Sequence, residues 1–136
     1  MSHYTLIQTE IRKQAILLQS LHELGYAEVE CHEYAQPLFG YQGDRRPETA
    51  EVIIRRNRIG AAANDVGFKR QESGDFQAII SEYDRRTHCN ETWLQNLNRT
   101  YAYNVIQDQV REQDLIVEEE QTLENGDTVI ILSERG

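Results

Sequence analysis

Two amphipathic helical stretches set among short period-two segments predict an α+β fold. It is a mostly antiparallel sheet in the order β-α-β-β-β-β-α-β-β, with two helices packed on one face. Three observations carry this. Apolar residues recur at helical spacing in Ile11, Ala15 and Leu18 with flanking Leu17, Leu21 and Leu24. They recur again from Trp93 through Leu97, Tyr101 and Val105 to Val110. Between and around these stretches, apolar and polar residues alternate at period two, as half-buried strands require. Ser73-Gly74-Asp75 and Glu124-Asn125-Gly126-Asp127 then supply the turn chemistry that joins adjacent strands into hairpins.

Taken in order, Ser2 to Gln8 reads as a first strand, and Thr9 as the N-cap of a helix that Gly25 closes as its C′ residue. Tyr26 to Tyr34 switches to period two, with Ala27, Val29 and Cys31 facing inward and Glu28, Glu30 and His32 outward. Gln36 to Thr49 holds Pro37, Gly40, Gly43 and Pro47 and is expected to be a loop. Ala50–Arg56, Asn64–Arg70 and Phe76–Ile80 follow as consecutive antiparallel strands. Asn90 is a good N-cap for the second helix, which ends near Gln113. Leu115–Glu120 and Thr128–Leu132 form a final hairpin, whose outer strand offers an edge that could pair with another copy.

A length of 136 residues is one domain's worth, so residues 1–136 are read as a single α+β domain. Apolar residues at 39% and charged residues at 27% are enough to build a core and exclude a disordered chain. No apolar run approaches the roughly 20 residues of a membrane helix, and the first residues lack a secretory pattern. Cys31 and Cys89 make no disulfide framework. A net charge of −9 opposes nucleic-acid binding, which needs local positive charge. Nine of the fourteen basic residues nevertheless fall between Arg45 and Arg86.

No pattern supports a written reaction. The set Cys31, His32, His88 and Cys89 suggests a metal site, but neighbours on a strand point to opposite faces and knuckle spacing is absent. No metal or other cofactor is therefore expected. Cys89 precedes a helix, where a thiolate gains from the dipole, yet no third partner orients it. Glu82 and Asp84 read as a strand pair kept apart in solvent. Neither GxxxxGK nor GxGxxG occurs, and Gly40-Tyr41-Gln42-Gly43 reads as a turn. That loop still ranks first for function, because it combines backbone freedom, an aromatic residue and adjacent arginines. Tyr41, Arg45, Arg46 and Arg55 are the candidate partner-binding residues. The alternative is a small-molecule or enzymatic pocket between sheet and helices, using His3, Tyr101 and Tyr103. Trp93 is read as packing.

The chain opens Met-Ser-His-Tyr-Thr-Leu-Ile-Gln-Thr-Glu-Ile and goes on through Leu24-Gly25-Tyr26, Gly40-Tyr41-Gln42-Gly43 and Ala50-Glu51-Val52-Ile53-Ile54-Arg55. Asp65-Val66-Gly67-Phe68, Tyr101-Ala102-Tyr103 and Val117-Glu118-Glu119-Glu120 follow. In this order, over nearly the whole length, the chain resembles the hypothetical chloroplast reading frame 35 family, a domain of unknown function in cyanobacteria and algal plastids. The resemblance implies a soluble accessory, assembly or regulatory protein near the photosynthetic apparatus, in a cyanobacterial cytoplasm or plastid stroma; that it binds a protein partner without catalysis is expected from the missing catalytic motifs and the loop around Tyr41. Two departures bear on this. Ser81-Glu82-Tyr83-Asp84 stands where the family has a tryptophan-rich segment, and the usual final aromatic residue is missing. If that aromatic patch is the family's binding surface, this chain binds a different partner.

Overall fold

In the computed structural model, which describes residues 3–113, 115–122, 124 and 126–134, eleven segments follow one another. They are β1 (Tyr4–Gln8), α1 (Gln14–Glu23), β2 (Glu30–Phe39), β3 (Arg45–Ile54), a 3-10 turn (Arg56–Arg58), β4 (Val66–Arg70) and β5 (Phe76–Ser81). After these come α2 (Glu82–Arg86), α3 (Glu91–Gln113), β6 (Leu115–Thr122) and β7 (Thr128–Glu134). Five strands make one antiparallel sheet in the order β1-β5-β4-β3-β2, and β6 pairs with β7 separately. The class and the order of the strands and the two long helices are those the periodicity predicts, with α2 and the 3-10 turn added. Asn125, expected in the last turn, and Ser2, expected in β1, lie outside the described residues.

The register explains the core. Val52, Phe68 and Ala78 are cross-strand neighbours on one face, joined there by Ile54, Val66, Phe76 and Ile80. Ile16, Leu17 and Leu21 of α1 and Leu97 and Tyr101 of α3 close over them. Each fully buried Leu or Phe stabilises by about 1.5–3 kcal/mol relative to exposure. A Schellman motif ends α1. Gly25 takes φ +108°, its N–H donates to His22 O (3.0 Å), and the Tyr26 N–H donates to Leu21 O (3.1 Å).

On the opposite face, Leu38, Ala50, Ile53 and Ile79 form a smaller cluster with Tyr4. β1 and β3 are three strands apart, about 14 Å at ordinary strand spacing. Yet the Arg46 guanidinium lies 6.0 Å from the Tyr4 ring centre. The outer part of the β2–β3 hairpin therefore folds across this face. Gly67 makes room for it, since a Cβ there would meet the Ala50 Cβ at 2.7 Å.

Several expectations are corrected. Residues 36–49 are a long hairpin with a five-residue connection, not a loop. Pro37 is tolerated because β2 is an edge strand whose pairing shifts register on both sides of it. Pro47 lies beyond the part of β3 that pairs with β4. Helix α1 starts at Gln14, not after Thr9. Thr9 Oγ1 instead donates to Phe76 O and accepts from the Ile11 N–H, while the Tyr101 hydroxyl accepts from the Arg12 and Lys13 N–H groups. Cys31 is exposed, because at the sheet's edge its face runs out from under the helices. Glu82 and Asp84 lie on a helical turn rather than a strand.

Candidate functional site

The connection between β2 and β3 is held from behind by buried polar side chains. Asp65, almost fully buried, accepts from the Phe39 N–H (2.8 Å) and the Arg56 N–H (2.7 Å), and its own N–H donates to Phe39 O (3.0 Å). Asn64 Oδ1 accepts from the Tyr41 N–H (2.9 Å), and Arg56 Nη1 donates to Tyr41 O (3.0 Å). Within the turn, the Gly40 N–H donates to Asp44 O and the Gly43 N–H to Gly40 O, both at 2.8 Å. Gly43 adopts φ +79° to allow this. Tyr41 itself is 40% exposed, and Gln42 and Arg45 are exposed beside it.

A second layer fixes the first. Ser81 caps α2, its hydroxyl accepting from the Asp84 N–H (3.0 Å) and donating to Asp84 Oδ2 (2.7 Å). The same carboxylate, fully buried, accepts from the Asn64 N–H (3.0 Å) and Nδ2 (3.2 Å), and its Oδ1 faces His88 Nδ1 at 2.8 Å. A buried carboxylate needs such donors to offset its lost hydration. Asp84 thus fixes Asn64, and Asn64 fixes Tyr41. Sequence reading missed this layer, since partners twenty residues apart leave no periodic trace. The one local signal is Ser81 three residues before Asp84, the spacing of an N-cap bond.

Arg55 and Arg46 face inward. Arg55 donates twice to Glu30 (2.7 and 2.9 Å), once to Asp65 (2.8 Å) and once to Pro37 O (3.1 Å). The Arg55 guanidinium, aided by His32, holds Glu30 down at about 2, and those carboxylates in turn raise Arg55. The Arg46 side chain is only 13% exposed, between Asp44 and the Tyr4 ring. The Tyr4 hydroxyl donates to Asp65 O (2.7 Å), and burial raises its pKa strongly. Of the four predicted binding residues, Tyr41 and Arg45 point outward while Arg46 and Arg55 fasten the loop. A hollow of about 430 Å³ opens beside it, lined by Phe39, Gly43, Arg55, Arg56, Asn57 and Asp65.

The other candidates are dispersed. His3 precedes β1, where its carbonyl accepts from the Glu82 N–H. Tyr101 stands at the far end of that strand, its hydroxyl engaged by the Arg12 and Lys13 N–H groups. The two are separated by β1, roughly 17 Å of extended chain. Tyr101 lines a groove of about 640 Å³ between α3 and residues 8–11, and Tyr103 one of about 660 Å³ between α3 and residues 126–130. Cys89 is buried, which pushes its thiol up to about 12, with Asp84 adding to the effect. Among the described residues, no three His, Cys, Asp or Glu side chains converge as metal ligands, and no helix is long and apolar enough to cross a membrane. Trp93 packs edge-on against Tyr26 and donates to its hydroxyl (2.8 Å).

Comparison with known proteins agrees with the resemblance drawn from the motifs. Residues 20–131 match the family described as "Protein of unknown function (DUF1257)". A protein of Cyanophora paradoxa named "Uncharacterized protein ycf35" is 27% identical over 110 residues, covering 80% of this chain and 78% of that protein. No solved structure matches.

Proposed function

The chain belongs to the DUF1257 family of proteins of unknown function, and from that premise we propose that it is a non-catalytic accessory protein that binds a protein partner through the loop from Phe39 to Arg46. The observation that carries this reading is the rigid presentation of Tyr41. An exposed aromatic ring stands on a turn whose backbone groups are bonded from behind by Asn64, Asp65 and Arg56. Pre-organisation of this kind lowers the ordering cost of association, and tyrosine is among the residues that dominate interface energies. Tyr41 and Arg45 contact the partner, the neighbouring hollow receives one of its side chains, and Arg46 and Arg55 keep the loop in shape. The proposal extends to a role near the photosynthetic apparatus, in a cyanobacterial cytoplasm or plastid stroma; the likeness to the uncharacterized Cyanophora paradoxa protein supports the plastid or cyanobacterial setting.

Affinity capture of a tagged copy from gently solubilised photosynthetic cells, with mass spectrometry of what is retained, tests the reading. Capture of one partner complex that is lost in a Tyr41→Ala, Arg45→Ala double variant is the expected result. Capture unchanged by the double variant assigns binding to another surface. No capture by either form removes the binding reading and favours the groove beside Tyr103 as a small-molecule site, for which a thermal-shift screen is the direct measurement.

A further inference from the structure

Strand β1 leaves one edge of the sheet open. The bond from the Glu82 N–H to His3 O falls on the same register as the β1–β5 pairing, so His3, Thr5 and Ile7 direct their backbone groups toward β5. The N–H and C=O groups of Tyr4, Leu6 and Gln8 consequently point outward, and among the described residues no strand meets them. Natural sheets guard such an edge with charge, proline or bulges. β1 has none of these. Residues 4–9 are six consecutive uncharged residues in a chain that is 27% charged, and Leu6 is 58% exposed in the middle of them.

We propose that β1 is a self-pairing edge through which two copies of this chain join antiparallel about Leu6, making one continuous sheet from both five-stranded sheets. The outward residues Tyr4, Leu6 and Gln8 are centred on Leu6, so a second copy related by a two-fold at Leu6 offers a partner to each of their backbone groups. In the two-fold arrangement Leu6 meets Leu6 of the second copy, and Tyr4 meets its Gln8. About six inter-strand hydrogen bonds form. The uncharged strip is what permits this contact, because two bodies of net charge −9 repel elsewhere. At the ends of the pairing, His3 of one copy comes opposite Thr9 of the other, at the mouth of the 640 Å³ groove against α3. An extended segment of an unrelated protein would satisfy the same backbone groups, and pairing with such a segment alone is the case in which the native chain stays monomeric.

Sedimentation velocity on the full chain, from micromolar to hundreds of micromolar, tests the proposal. The native chain is expected to show a concentration-dependent monomer–dimer equilibrium. Leu6→Lys places like charges opposite each other across the two-fold and is expected to raise the dissociation constant at least about tenfold. Gln8→Pro removes only an outward N–H and is expected to act in the same direction. Tyr34→Ser, a charge-neutral change at an exposed position of β2, is expected to leave the equilibrium unchanged. A native chain that stays monomeric throughout, or a dimer that survives both Leu6→Lys and Gln8→Pro, overturns the proposal.

Discussion

The two edges of the sheet solve the same problem in opposite ways. β2 carries Glu30, His32 and Glu33, interrupts its pairing with register shifts and includes Pro37. Its far half leaves the sheet plane with β3 to cover Leu38, Ile53 and Ile79. β1 is short, uncharged and straight in register. The guarded edge also carries a charged network, in which the buried Asp65 and the half-buried Arg55 and Glu30 tie β2 to the 3-10 turn. Strand edges and buried ion pairs are both costly unless satisfied, and here one hairpin satisfies both. The lesson is that polar side chains near β2 hold structure, whereas their absence along β1 leaves a surface.

That contrast can be broken at measurable points. The largest effect is expected from Asp84→Ala, which leaves Ser81, Asn64 and His88 without their common acceptor. It should cost about 3 kcal/mol or more in urea unfolding. Asp65→Asn keeps the shape but removes the charge facing Arg55, and should cost about 2 kcal/mol. It should also speed amide exchange at Phe39 and Tyr41, and unchanged exchange there would mean the loop is held by something else. Glu30 gives a smaller, pH-dependent effect. Its folded pKa is depressed to about 2, so its contribution is present above the ordinary carboxylate value and is lost as pH falls from there toward 2. Glu30→Gln should flatten the acid limb of a stability–pH curve over that window, and an identical limb would count against the ion pair. The smallest effect is at the other edge. Leu6→Lys should change the stability of the folded chain by no more than about 0.5 kcal/mol, because Leu6 is exposed; a larger loss would mean that β1 is not a free edge.

Local chemistry determined a good deal of this protein. Period two and period 3.6 mark most of the strands and the two long helices, Gly25 ends α1, Gly74 turns β4 into β5, and Asn90 caps α3 through the Trp93 N–H. Tyr41 is legible as a candidate because glycines flank it in a turn. These signals act within a few residues, so the chain order alone carries them. The tertiary structure decided what distant partners control. Tyr101 delays the start of α1 by binding the N–H groups of Arg12 and Lys13, some ninety residues away in the chain. The two prolines enter strands because the hairpin has no neighbour at those positions. Asp84 is buried rather than solvated because Asn64 and His88 converge on it, and Arg46 and Arg55 turn inward because Tyr4, Glu30 and Asp65 await them. A charged side chain's surroundings depend on segments that only folding brings together, whereas a backbone turn or a helix stop depends on the residue that makes it.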